Sequence, residues 1–255
     1  MRQATKIVQK IKPGGGFSHI FHVSLLAVLP VLLLILVSLD FATLALGLVV
    51  LSKWRMFAVK PRFWLVNIRA NLVDLLVGFS VVLFMAHDTT FTWQIAWTVG
   101  YTVWLTVIKP GSTIFMNALQ AMIALLLSMM ALYLVAGDAP LYVQVAGTAI
   151  ICYGTAHHFL TSFDEPYTKF LSNMWAFMGA TVSWVLGHWL LYYGILSQPT
   201  LIIVVLGYGL AGLYYFDHRD KLSRVIKLEF AFIVAAIVFI NIVALAISGM
   251  RSSII

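Results

Sequence analysis

VSLLAVLPVLLLILVSLDFATLALGLVVLS, residues 23–52, is an almost unbroken apolar run whose main interruption is Ser38-Leu39-Asp40. As one helix it would be about 45 Å long, well beyond a hydrocarbon core of about 30 Å. Charge decides how it folds. Arg2, Lys6, Lys10 and Lys12 precede the run, and Lys53, Arg55, Lys60 and Arg62 follow it. The positive-inside rule places both clusters in the cytoplasm, which requires an even number of crossings between them. Residues 23–52 are therefore expected to form a hairpin turning at Asp40.

The rest of the chain has the same character. Its 255 residues are 62% hydrophobic and only 10% charged, against roughly 25% charged in soluble domains. The mean hydropathy is +0.99. Apolar runs of about 20 residues separated by short polar turns predict an all-α polytopic integral membrane protein. Nine helices are expected, near 18–38, 41–57, 63–86, 91–108, 112–135, 140–161, 167–193, 199–216 and 224–248. Lys109, Lys169, Arg219, Lys221, Arg224 and Lys227 fall at inner ends, and Asp40, Asp88 and Asp138 at outer turns. Of the 16 Lys and Arg residues only Arg251 departs from this alternation. The expectation is N-terminus in, C-terminus out, in a bacterial cytoplasmic (inner) membrane.

Residues 1–16 are basic and read as an interfacial segment on the inner leaflet, and 17–255 as a single transmembrane domain. The net charge of +7 lies at span ends, where lipid headgroups are, so membrane lipids rather than nucleic acid are the expected partners. The single cysteine, Cys152, excludes an intramolecular disulfide and reads as a packed side chain.

Three inner turns resemble one another, with Pro61, Pro110 and Pro166 each followed six or seven residues later by Asn67, Asn117 and Asn173. Proline suits a first helical turn. This raises a fourfold hairpin repeat, 41–86, 91–135, 140–193 and 199–248, in which the fourth copy lacks the proline. Gly179, Ser183 and Gly187, spaced by four, form a small-residue face for close helix packing.

Asp74 is the leading functional candidate. In a helix over 63–86 it lies about 17 Å from the inner end, near the midplane, where ionisable groups are costly. Asn67, Asn71, Asp74 and Gly78 then share one face, and with Asn117, Gln120 and Tyr153 would form a polar midplane site. Arg69 is a candidate charge partner. A second group, His157, His158, Asp164 and Glu165 with Asp217, His218 and Asp220, lies on neighbouring inner turns. Asp164 and Glu165 are explained by helix capping and the helix dipole. His157 and His158 project about 100° apart, and no metal spacing is present, so no metal or cofactor is expected. His19 and His22 share a face of the first helix, and His188 sits in an aromatic belt. No P-loop, HExxH or GxSxG motif occurs.

Three functions stay open. The first is a small transporter or ion-coupled permease built around Asp74. The second is an accessory or scaffold subunit of a larger membrane assembly or homo-oligomer. The third is a lipid-modifying enzyme with a cytoplasmic-face His/acid site, although the sequence argues more against an enzyme than for one.

Overall fold

The computed structural model describes residues 17–88 and 90–252, with side chains described for 28–54, 56–88 and 90–244. The basic segment 1–16 lies outside the described residues, as do the side chains of His19 and His22. Ten helices follow in order: α1 Phe17–Ser38, α2 Ala42–Leu51, α3 Trp64–Ala70, α4 Leu72–His87, α5 Phe91–Val103, α6 Ile114–Ala136, α7 Leu141–Thr161, α8 Thr168–Gly187, α9 Gln198–Asp217 and α10 Arg224–Ser252. The architecture is all-α apart from a two-residue hairpin, Tyr192–Tyr193 with Leu196–Ser197. That hairpin ends the seventh expected helix at Gly187 instead of residue 193.

Three helices, α6, α9 and α10, are long and apolar enough to cross a membrane among the described residues. The α3–α4 pair is a fourth if its 66° bend is counted within one span. The protein is thus a helical membrane protein with several apolar spans.

The opening run does turn at Asp40, which takes the left-handed region (φ 62°). Its second limb is shorter than expected. α2 has ten residues, about 15 Å of helix, and a 3₁₀ turn at Trp54–Met56 follows. The expected helix over 63–86 is broken as well. Asn71 closes α3 with φ −107° and ψ 7°, and its side-chain amide donates to the Asn67 carbonyl at 2.9 Å. Asparagine competes in this way with the backbone ladder. The Asn67 amide in turn donates to the Met56 carbonyl at 3.3 Å, tying α3 down to the turn before it.

α5 runs into a π-helix at Trp104–Ile108, closed by the Lys109 N–H on the Trp104 carbonyl at 2.8 Å. The three proline turns differ locally. Pro61 opens a 3₁₀ turn. Pro110 precedes the true cap Thr113, whose hydroxyl accepts from the Met116 N–H. Pro166 follows Asp164, which sits at φ 54°. Only Pro61 occupies a first helical turn.

The helices pack as two connected groups. One core joins α1, α2, α4 and α5 around Leu33, Val49, Val77, Val82, Met85, Tyr101 and Trp104. The other joins α6, α7 and α9 around Leu125, Met129, Tyr133, Cys152 and Ile203. α7 and α8 form the most extensive helix pair. Gly179 faces Cys152 so closely that an added Cβ would lie 2.5 Å from its Sγ. α6 is central, with 44% of its most apolar stretch buried, whereas α10 packs chiefly on α9 and has 11% buried.

Candidate functional site

The break at Asn71 changes what Asp74 is. Asp74 lies in the first turn of α4 and not midway along a continuous span, so the expected midplane depth and the four-residue stripe are both corrected. Its carboxylate is ion-paired with Lys53 at 3.0 Å and Lys109 at 2.6 Å. The Trp104 indole N–H also donates to it at 3.3 Å. The Asp74 side chain is 12% exposed, Lys53 11% and Lys109 35%. One anion thus holds two cations from two different turns.

Each partner is placed by local structure. Lys53 follows the short α2 and reaches Asp74 because α2 ends so early. Lys109 is delivered by the π-helix, and the same winding turns Trp104 inward. π segments often mark functional sites.

Arg69 is not the charge partner. Its guanidinium lies 5.4 Å from the Tyr153 ring centroid, because the bend carries α3 away from the α4 axis. Tyr153 also lies 5.7 Å from the His157 ring, so it belongs to the end of α7 and not to a site around Asp74. Asn67 and Asn71 bond to backbone carbonyls, as described above. Asn117 is half-buried in the first turns of α6.

Gln120 serves as a clamp between hairpin arms. Its amide nitrogen donates to the Ile108 carbonyl at 2.7 Å and the Gly111 carbonyl at 3.1 Å. This orients its oxygen to His158 Nε2 at 3.0 Å, which must carry the proton. Gln94 and Gln144 do the same elsewhere: Gln94 donates to the Met85 and Asp88 carbonyls, and Gln144 to the Gly137 and Ala139 carbonyls. Each buried glutamine satisfies carbonyls that the preceding helix end leaves open.

Above Asp74, toward the other end of α4, the Tyr101 hydroxyl is buried without a hydrogen-bond partner. Gly78 makes room for it: an added Cβ there would lie 2.9 Å from that oxygen and 2.7 Å from Val49 Cγ1. Further along the same four helices, a cavity of about 390 Å³ is lined by Asp40, Asp88, Gln94, Ser38 and apolar neighbours.

The second group comes together only in part. Glu165 accepts a hydrogen bond from the Tyr214 hydroxyl, and the Phe163 ring lies 4.9 Å from the His218 ring. The α7–α8 and α9–α10 turns therefore do meet. Asp164 does not cap α8, which starts at Thr168 with Tyr167 as N-cap and no side-chain cap bond from that residue. Glu165 keeps a cap-like contact: one carboxylate oxygen accepts from the Tyr167 N–H at 3.4 Å, and the other accepts from Tyr214. His157 faces Tyr153 and Thr161, while His158 faces Gln120. Asp217, His218 and Asp220 are exposed. Among the described residues no three His, Cys, Asp or Glu side chains are grouped to hold a metal ion. His188 donates from Nδ1 to the Trp184 carbonyl at 2.7 Å, beside exposed Trp184 and Trp189.

Sequence reasoning missed Lys53, Lys109, Trp104 and Tyr101. The two lysines are visible as charges directly after apolar runs, but their meeting depends on the early end of α2 and the π-helix, which no periodicity announces. No family model, curated protein or solved structure matches the chain.

Proposed function

We propose that the protein crosses a bacterial cytoplasmic membrane nine times, N-terminus inside, and works as a small ion-coupled permease. Its inner gate is the Lys53–Asp74–Lys109 cluster. The single observation behind this reading is one carboxylate, at a break between two helices, holding lysines from two other turns. In this arrangement α3 lies along the inner interface with exposed Trp64, Leu65 and Val66, and α4 crosses. α2 is too short to cross an undistorted core. Local thinning of the bilayer accommodates such a helix, and pairing with Asp74 accommodates Lys53 short of the surface.

The path runs between α1, α2, α4 and α5. The cavity with Asp40 and Asp88 is the outer vestibule, where two carboxylates concentrate cations. Apolar core and the unpartnered Tyr101 hydroxyl occupy the middle, and the ion cluster closes the inner end. Neutralising Asp74, by a proton or by competition from a cation, leaves two ammonium groups facing each other. Their repulsion drives the inner turns apart about the Asn71 joint. Discontinuous helices with coupling groups at the break are a recurrent transporter device.

Electrical recording from proteoliposomes on a solid support tests this. Concentration jumps across a panel of protons, alkali cations, amino acids and small amines are expected to give a transient current for at least one solute with the wild type and none with Asp74→Asn. A folded wild type silent to the whole panel, or an Asp74→Asn current equal to wild type, contradicts the permease reading. One observation favours a second reading, an accessory subunit: α10 packs chiefly on α9 and leaves most of its apolar surface uncovered. Co-purification of a stoichiometric second chain bound along α10 supports that alternative.

A further inference from the structure

We propose that the groove between α6, α7, α8 and α9 holds one acyl chain of a zwitterionic phospholipid from the inner leaflet. The groove has a volume of about 250 Å³ and is walled by Ala121, Leu125, Ala156, Trp175, Gly207 and Ala211, among others. Pockets for drug-sized molecules run from about 300 to 1,000 Å³, so this one suits a single slender chain. Thr155 lines it, but its hydroxyl is already used on the Ile151 carbonyl at 2.8 Å. The Tyr214 hydroxyl donates to Glu165, which leaves the Trp175 indole as the remaining polar group in the lining. An ordered water needs two or more polar partners, and hydrocarbon is the ligand that needs none.

Position points to a membrane lipid. Every wall comes from the same end of the bundle as the Asp74 cluster: the first half of α6, the last turns of α7, the first turns of α8 and the last half of α9. On the topology proposed above this is the inner-leaflet level. Leu210 at the lip is 53% exposed, so a chain can enter sideways.

The rim selects the headgroup. Near the groove, the α7–α8 turn brings Asp164, Glu165 and Lys169. The α9–α10 turn brings Asp217, Arg219, Asp220 and Lys221, and Arg224 opens α10. Acids and bases balance and interleave. The Arg219 guanidinium is held 4.7 Å over the Tyr215 ring, next to the groove residue Tyr214. Such a rim matches a headgroup with both a phosphate and an ammonium. An anionic headgroup would meet the four carboxylates unfavourably. By contrast, Lys60 and Arg62 in the turn before α3 have no acid near them in the sequence.

The test is native mass spectrometry of the purified full chain in detergent, titrated with palmitoyl-oleoyl phosphatidylethanolamine and, separately, with the phosphatidylglycerol of the same chains. Binding in detergent does not depend on membrane orientation, so this result stands apart from the permease question. Wild type is expected to take up one phosphatidylethanolamine in preference to phosphatidylglycerol. Ala211→Trp and Ala156→Phe, which fill the groove, are each expected to weaken it about tenfold or more. Asp217→Asn, which removes a rim carboxylate, is expected to reduce the preference for phosphatidylethanolamine while the chain still binds. Tighter binding of phosphatidylglycerol, detergent alone at the site, or unchanged uptake by monodisperse groove-filled variants overturns the proposal. If either variant fails to fold, the other and the wild-type lipid comparison still decide.

Discussion

The α1–α5 half and the α6–α9 half solve the same problem differently. In α6–α9 the helices meet through small residues: Gly179 against Cys152, Gly147 against Leu132, and Ser183 hydrogen-bonded to Tyr133 at 2.7 Å. In α1–α5 one span is broken, a π segment ends another, and a carboxylate holds two lysines. Close packing of small residues favours one arrangement. Ion pairs across turns are what a part with two arrangements carries, whereas buried polar atoms without partners occur in both halves, at Tyr101 in one and at Gln144, Thr148 and Gln198 in the other. The difference assigns rigidity to one half and movement to the other.

The largest effect is expected from breaking the rigid half. Gly179→Leu forces a side chain into Cys152 on the facing helix, with no flexible end to yield. A loss of about 3 kcal/mol is expected, read as a lower thermal midpoint in detergent or a failure to isolate monodisperse protein. An unchanged midpoint would mean that α7 and α8 are not packed as described.

A smaller effect is expected at the ion cluster. Asp74→Asn leaves Lys53 and Lys109 without their anion, for a loss of about 2 kcal/mol, moderated by the partial exposure of Lys109. Adding Lys53→Met removes the more buried cation and should restore most of that loss. A double-mutant cycle by thermal unfolding measures it, with a coupling of about 1–2 kcal/mol expected. Additive losses would show that the two residues do not interact.

The smallest effect sharpens the comparison through a matched pair. Tyr133→Phe deletes a hydroxyl that is bonded to Ser183, and should cost about 1 kcal/mol. Tyr101→Phe deletes one with no partner, and should be neutral or stabilising, because an unsatisfied buried group is removed. If both substitutions cost the same, the Tyr101 hydroxyl has a partner and the path through the α1–α5 half loses its middle element.

Much of the helix order was legible in the sequence because apolar run length and turn charge are strong, local signals. The hairpin at Asp40 followed from the length of the apolar run, its Ser-Leu-Asp interruption and the charges on either side. What was not legible came from competition between local and tertiary terms. Asn71 looked like one more member of a polar face, yet its short amide interrupts the backbone ladder and turns α3 away from α4. That one residue moved Asp74 from an expected midplane to a helix start, and sent Arg69 to Tyr153. Gln120 read as a polar midplane residue, whereas its length lets it close a helix end two turns away. Glu165 looked like a cap because it precedes Pro166, and one of its oxygens does take the Tyr167 N–H, but the other is claimed by a tyrosine hydroxyl on another helix.

The central claim is that Asp74 holds the inner turns of α2 and α5 together and that losing its charge lets them part. Distance measurement by pulsed electron paramagnetic resonance tests this directly. Spin labels at Leu51 and Val107, both exposed and outside the cluster, are introduced into a Cys152→Ala background and reconstituted in lipid. With Asp74 intact, one narrow short-distance population is expected. With Asp74→Asn, a second and longer population should appear, and Lys53→Met should suppress it. A single unchanged distance in all three proteins would contradict the account and leave the cluster as a fixed structural tie.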